Sequence, residues 1–225
     1  MSRPIVAVST IADSTMHNRL ALEDPEIIAN RQTWLAKQGI ALDDTTRVQV
    51  SYEDGENFCR YREATELDKG VGMRGLAPIV DDALVTTQPG HALFLPIADC
   101  IAATFYDPEN QVLMLSHLGR HSLEQRGGYK SAMYLCEQYG SKPENLQIWL
   151  SPAAGKNTYP IFKLNNMGLK EALYAQLANA GVSHNHINDM PVDTVTSLEH
   201  YSHSAYLRGD KPTDGRFAMV AMIPL

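Results

Sequence analysis

The chain has 225 residues, of which 44% are hydrophobic and 20% are charged, and its formal net charge is −7. This composition is that of an ordinary globular protein and excludes a mostly disordered chain. The acidic balance, without a basic stripe, excludes a typical nucleic-acid-binding protein, and no run of 18 apolar residues is present to cross a membrane. The N-terminal residues contain no apolar stretch of the length that a signal peptide needs, and the three cysteines form no C-x-x-C motif and no even set. We therefore expect a cytoplasmic protein with free thiols.

The first half of the chain is predicted to contain short strands and one helix. Asp24 is placed to cap the helix, Pro25 lies in its first turn, and Gly39 is placed just beyond its end. This helix is predicted over residues 24–38. Strands are predicted over residues 4–9, 47–52, 58–62, 83–87 and 92–97, with most of residues 53–80 in a loop.

The second half is predicted to begin with a hairpin over residues 101–106 and 111–117, joined by the turn sequence Asp-Pro-Glu-Asn. Ser122 opens a capping-box sequence, which predicts a helix over residues 122–139. A strand over 146–150, a helix over 166–179 and a strand over 216–223 follow. Strands and helices do not alternate regularly, and no linker divides the chain. We therefore predict one α+β domain with mixed sheets over residues 1–225.

The hairpin is predicted to bring a thiol and an imidazole together. If the turn is centred between Pro108 and Glu109, Cys100 faces His117 across the two strands. Directly opposed residues have Cβ atoms about 4.5–5.5 Å apart. Such a pair can supply two ligands of a catalytic zinc ion, or the imidazole can deprotonate a nucleophilic thiol. The alternative is a buried structural cysteine beside a histidine that bonds to the backbone.

Neighbouring residues favour a functional site. Asp99 precedes the thiol, and Gly119 follows the imidazole just before a predicted helix start, a place suited to an anion such as phosphate. Among the other histidines, His121 lies near the helix start and His203 in a short aromatic segment. We assign no role to His184 and His186.

Several short motifs, in order, resemble the YfiH-like or laccase-domain family, whose members are described as polyphenol oxidases or purine nucleoside phosphorylases. The matching segments are Asp24-Pro25, Asn30-Arg31, Gln49-Val50-Ser51, Asp82-Ala83-Leu84-Val85-Thr86, Ala98-Asp99-Cys100, Asp107-Pro108-Glu109-Asn110, His117-Leu118-Gly119, Ser151-Pro152 with Tyr159, Tyr201-Ser202-His203 and Gly215-Arg216. The resemblance covers about residues 18–225 and implies a layered α/β/β/α fold.

The resemblance also implies a zinc site with histidine, cysteine and histidine ligands. Cys100 and His117 match two of these ligands, but Ser51 stands where the family has its first histidine. His121 and His203 are the candidate replacements for the lost ligand. A copper site is the weaker alternative.

The activity implied is a zinc-dependent purine nucleoside phosphorylase or deaminase acting on a nucleoside and phosphate. Its catalytic residues would be Cys100, His117 and Asp99. Two alternative hypotheses remain. The protein is a paralogue that lost catalysis and binds a ligand or partner, or it is a copper-dependent phenol oxidase. The residues implied to bind substrate or phosphate are Asn30, Arg31, Arg120 and Arg216.

Overall fold

A computed structural model describes residues 3–17, 24–52, 57–75 and 80–225. Within these ranges the chain forms ten strands and five helices. In chain order they are β1 (Ile5–Val8), α1 (Pro25–Lys37), β2 (Thr45–Arg47), β3 (Tyr61–Glu63), β4 (Ala83–Thr86), β5 (Ala92–Ile97), β6 (Ile101–Asp107), β7 (Val112–Leu118), α2 (Arg120–Glu124), α3 (Gly127–Tyr139), β8 (Gln147–Leu150), α4 (Leu169–Ala180), β9 (Ile187–Asp189), α5 (His203–Leu207) and β10 (Phe217–Met222). None of the helices in these ranges is long and apolar enough to span a bilayer.

The strands form two mixed sheets. The first has the order β1-β10-β5-β2, in which only the β2–β5 pair is parallel. The second has the order β3-β4-β7-β6-β8-β9, in which the two outer pairs are parallel and the inner pairs are antiparallel. Mixed pairing confirms the α+β class predicted from the irregular order of strands and helices.

The layers follow from the alternation of side chains along the strands. In β5, Phe94 packs with Trp34 of α1 on one face of the first sheet. Its neighbours Leu93 and Leu95 point the other way and pack against Leu115 and other residues of the second sheet. Helices α3 and α4 cover the far face of the second sheet. The layered α/β/β/α fold implied by the resemblance is confirmed.

Helix α1 begins and ends as predicted. The Asp24 side chain accepts a hydrogen bond from the Glu26 backbone N–H at 2.9 Å, and Pro25 occupies the first turn. Gly39 follows the helix with φ of 72°, a left-handed conformation that glycine adopts without steric cost. Local sequence therefore fixes both ends of this helix.

The predicted helix over residues 122–139 is wrong in its start and its continuity. The chain forms α2 from Arg120, directly after Gly119, and then breaks at Arg126, whose φ is 65°. A Cβ atom at Gly127 would lie 2.0 Å from Ser122 Oγ, and one at Gly128 would lie 2.4 Å from Leu173. The glycine pair thus lets α3 pack closely against α2 and α4. This packing is a tertiary contact, which the capping-box pattern does not predict.

Two strand predictions in the first half are also displaced. The strand predicted over residues 47–52 ends at Arg47, and the one predicted over 58–62 runs from Tyr61 to Glu63. Each is a three-residue parallel partner at a sheet edge. Such short edge pairings depend on the neighbouring strand more than on their own sequence.

The predicted hairpin exists, but its register is wrong. Asp107 pairs with Val112, so Ala102, not Cys100, lies opposite His117. The Asp107 carboxylate accepts hydrogen bonds from the backbone N–H groups of Glu109 and Asn110, and Gln111 adopts a left-handed φ of 50°. These contacts make a four-residue loop and move the turn centre one residue towards the C-terminus.

Candidate functional site

A pocket of about 260 Å³ opens where the hairpin strands end. It lies just below the usual size range of small-molecule sites. Its walls come from the turn before β6, from the end of β7, from α2, from α5 and from loop residues. The lining residues are Tyr52, Phe58, Ala98, Asp99, Cys100, His117, Gly119, Arg120, His121, Ser122, Tyr159, His203, Ser204 and Leu207.

Cys100 and His117 converge in this pocket despite the altered register. A Cβ atom at Gly119 would lie 2.9 Å from Cys100 Sγ, 3.1 Å from His117 Cε1 and 3.4 Å from His117 Nε2. Glycine therefore leaves open the one point that the thiol and the imidazole both approach. The predicted proximity of Cys100 and His117 is therefore present. The two residues are not paired across the strands but meet beside Gly119, which follows β7.

The His117 imidazole is buried, with 5% of the residue exposed. Burial lowers its pKa to about 4, although the Asp82 carboxylate partly opposes this effect. Its Nε2 lies 3.3 Å from the Tyr52 hydroxyl. At neutral pH the ring is thus uncharged and can donate or accept hydrogen bonds, but it is not a cation.

Asp99 lines the pocket, and both of its carboxylate oxygens accept hydrogen bonds. Oδ1 accepts from the Thr194 hydroxyl at 2.8 Å and Oδ2 from the Ser204 backbone N–H at 2.7 Å. Its φ of 76° places it in the left-handed region, which aspartate tolerates better than most residues. Asp99 therefore ties the turn before β6 to the first residues of α5.

His203, at the start of α5, is held by a residue that the sequence did not single out. Its Nδ1 lies 2.9 Å from Asp214 Oδ1, and Arg216 Nη1 lies 2.5 Å from the same oxygen. Burial would raise the pKa of Asp214, but the hydrogen bonds from Arg216 and His203 outweigh it and lower the pKa. Asp214 comes directly before the Gly215-Arg216 motif without being part of it, and only its contact with His203 in the fold identifies it.

Arg120 and His121 both line the pocket. Arg120 Nη2 lies 3.4 Å from His121 Nε2, and the His121 ring stacks on Phe58 with centroids 4.7 Å apart. Tyr52 lies beside Phe58, at 6.2 Å between ring centroids. The motifs do not identify these aromatic walls. Tyr52 ends one predicted strand and Phe58 begins another, whereas the structure places both in loops.

Asn30, Arg31 and Arg216 are not among the pocket-lining residues. Asn30 Nδ2 donates to the Thr15 carbonyl. Arg31 is fully buried, and it donates to the backbone carbonyls of residues 16 and 73. Arg216 is also buried and binds Asp214 and the carbonyl of residue 215. Of the four predicted substrate- or phosphate-binding residues, the structure brings only Arg120 to the pocket.

The donor set does not fit the three-ligand zinc site that the resemblance implies. Ser51 is not among the lining residues, and Tyr52, the next residue, places its hydroxyl on His117 Nε2. In the described ranges, no group of three or more histidine, cysteine, aspartate or glutamate side chains is placed to hold a metal ion. A catalytic zinc site normally has three protein ligands, and Cys100 and His117 supply two.

The sequence matches the family described as multi-copper polyphenol oxidoreductase laccase over residues 16–165. The chain belongs to this family. The resemblance to YfiH-like proteins drawn from the short motifs is thereby confirmed.

Two curated relatives are named as purine nucleoside phosphorylases. The one from Corynebacterium glutamicum is 26% identical over 140 residues, which are 62% of this chain and 53% of the relative. YlmD from Bacillus subtilis is 23% identical over 141 residues, which are 62% of this chain and 49% of the relative. The matched stretch thus spans about half the length of these relatives.

Two solved structures share the fold along nearly the whole chain. YfiH from Bacillus licheniformis has a TM-score of 0.84 at 20% identity and covers 98% of this chain and 92% of its own. YlmD from Geobacillus stearothermophilus has a TM-score of 0.84 at 19% identity and covers 99% of this chain and 92% of its own. At this identity the likeness establishes the fold.

Proposed function

We propose that the pocket binds a purine nucleoside and inorganic phosphate and catalyses phosphorolysis of the N-glycosidic bond. The observation that carries the proposal is the convergence of Cys100 and His117 at Gly119, beside Arg120, in an aromatic-walled pocket. The names of the two curated relatives support the same substrate class.

The aromatic residues suit a purine ring. Phe58, Tyr52 and Tyr159 line the pocket, and aromatic pairs in offset or edge-to-face contact contribute about 0.5–1.5 kcal/mol beyond the burial of their area. Arg120 is the guanidinium that lines the pocket, and its planar fork of donors matches a phosphate group. The nucleoside and phosphate would therefore occupy different walls of one cavity.

Phosphorolysis breaks the C1′–N9 bond and forms a C1′–O bond to phosphate. The electron pair of the broken bond passes to the purine, which takes up a proton, while hydrogen phosphate loses one. We assign the Cys100 thiol as the proton donor to the purine, since it lies in the pocket beside an uncharged imidazole. His117 orients the thiol and helps to exclude water. No step is assigned to a metal ion, because the donor set does not fit one.

A second candidate is a catalytically impaired paralogue that binds the same ligands. The Tyr52 hydroxyl on His117 Nε2 favours it, since this contact uses a ring nitrogen that a metal-binding relative would need. The two candidates differ in turnover but agree in ligand class.

The test is turnover of inosine and adenosine with and without phosphate, followed by chromatography of free base, ribose 1-phosphate and ammonia. Cys100→Ser is compared with Cys136→Ser, a matched thiol change on α3 outside the pocket-lining set. We expect phosphate-dependent base release that Cys100→Ser lowers about 10²-fold, the range for a lost proton donor, and that Cys136→Ser leaves unchanged.

Nucleoside binding without turnover would favour the impaired paralogue. If adenosine releases ammonia and no ribose 1-phosphate forms, the activity is deamination and the proposal of phosphorolysis is wrong. Equal activity of both cysteine variants would refute the assignment of Cys100.

A further inference from the structure

His203, Asp214 and Arg216 form a continuous chain of polar contacts that ends in the pocket. Asp214 Oδ1 lies 2.9 Å from His203 Nδ1 and 2.5 Å from Arg216 Nη1. Arg216 is 5% exposed, and its Nη1 also donates to the carbonyl of residue 215. These contacts therefore link the buried Arg216 guanidinium, through the Asp214 carboxylate, to the His203 imidazole on the pocket wall.

This arrangement sets the tautomer of His203. The Asp214 carboxylate is ionised and can only accept, so the ring nitrogen that faces it, Nδ1, carries the proton. Nε2 is then the ring nitrogen that can accept a further proton. A carboxylate that holds one nitrogen of an imidazole in this way orients the ring and stabilises the cation formed when the other nitrogen takes up a proton.

A second contact holds the backbone next to His203. The Asp99 carboxylate accepts from the backbone N–H of Ser204, the residue after His203. Helix α5 is only one turn long, from His203 to Leu207, so it depends on such contacts for its position. His203 is thus held through its side chain by Asp214 and through its backbone by Asp99.

We propose that His203 is the proton acceptor for the attacking phosphate, with Asp214 and Arg216 as positioning residues. This inference rests on the proposed function. As the C1′–O bond forms, the proton of hydrogen phosphate passes to Nε2 of His203. The C1′–N9 electron pair goes to the purine, which takes a proton from Cys100. His203 then returns its proton to the thiolate through solvent, so no proton is gained or lost in the cycle.

The kinetic test compares His203→Gln and Asp214→Asn with two matched controls. His186→Gln changes a histidine outside the pocket-lining set, and Asp210→Asn changes an exposed aspartate that pairs with Arg208. We expect His203→Gln to lower kcat about 10²-fold at saturating substrates. Asp214→Asn should lower kcat at least about tenfold with little change in the KM for phosphate, because Asp214 acts through the ring. Both controls should keep wild-type kcat.

A second measurement does not depend on turnover. In ¹⁵N NMR spectra of histidine-labelled protein, the His203 signals are assigned by their loss in His203→Gln. The inference predicts a protonated Nδ1 and an unprotonated Nε2, a pattern lost in Asp214→Asn, and a shift of the Nε2 signal when inorganic phosphate is added.

The outcomes separate the two proposals. If the wild type releases base and both His203→Gln and Asp214→Asn keep its kcat, the role of His203 is refuted while phosphorolysis stands. If the wild type releases no base, phosphorolysis and the proton transfer to His203 are both refuted. A His203 signal that phosphate leaves unmoved also overturns the inference, whether or not base is released.

Discussion

Gly119→Ala places a methyl group at the point where the thiol and the imidazole converge. The added carbon would lie 2.9 Å from Cys100 Sγ and 3.1 Å from His117 Cε1. Ordinary contacts between carbon atoms are about 3.5–4.0 Å, so both side chains must retreat by roughly half an ångström. The backbone itself accepts alanine, because Gly119 has φ of −91° and ψ of −178°.

The expected cost has two parts. Overpacking of this kind costs about 1–3 kcal/mol, and we expect about 1 kcal/mol because both neighbours are side chains. A misplacement of about 1 Å in an active site can cost about 10²-fold in rate, so half of that displacement should lower kcat about tenfold. Urea unfolding measures the loss of stability, and initial rates of inosine phosphorolysis measure the loss of kcat.

Gly39→Ala is the matched control. Gly39 has φ of 72°, and a Cβ atom there meets nothing within 4 Å. Alanine at this left-handed position costs about 1–2 kcal/mol through the backbone alone. It should therefore lose comparable stability while keeping the wild-type rate per folded molecule. If Gly119→Ala also keeps that rate, Cys100 and His117 do not act together at this point.

Three further predictions concern neighbouring groups. Elemental analysis of the wild type after dialysis should find no stoichiometric zinc, because Cys100 and His117 supply two ligands where a catalytic zinc site normally has three. Stoichiometric zinc that survives dialysis of the wild type would instead require a ligand that we have not identified. Asp99→Asn weakens the hydrogen bonds to Thr194 and Ser204 and should cost about 1–3 kcal/mol in urea unfolding; no loss would refute their importance. His117 has a pKa near 4 when folded, below its usual 6.5, so between these values the unfolded chain binds the proton and the folded chain does not. Stability should fall as the pH drops through this range, by at most about 3 kcal/mol, and His117→Gln should flatten this fall.

Much of the fold can be predicted from the sequence, because helix caps and turns depend on residues that are close together in the chain. Asp24, Pro25 and Gly39 specify α1 by capping and backbone preference alone. The Asp-Pro-Glu-Asn turn likewise predicts a hairpin. The register of the hairpin, however, depends on two backbone hydrogen bonds to the Asp107 side chain and on the left-handed conformation of Gln111. Counting residues from the turn does not predict these contacts. The break before α3 depends on packing against α2 and α4.

The site divides in the same way. Cys100, His117 and Arg120 lie close to the hairpin in sequence, and the motif order predicts them. Asp214 is remote from them and becomes meaningful only when the fold brings it to His203. Tyr52 is adjacent to Ser51, the position of the lost histidine, but its contact with His117 depends on the path of a loop. Distant contacts of this kind require the three-dimensional structure.

The most direct test of the central claim is ³¹P NMR of the purified protein incubated with inosine and inorganic phosphate. We expect a new ribose 1-phosphate signal that grows with time, with an equal amount of hypoxanthine measured by chromatography. Both should be strongly reduced in Cys100→Ser but not in Cys136→Ser. A spectrum in which inorganic phosphate remains the only signal, from protein shown to be folded, would contradict the claim that this pocket catalyses phosphorolysis.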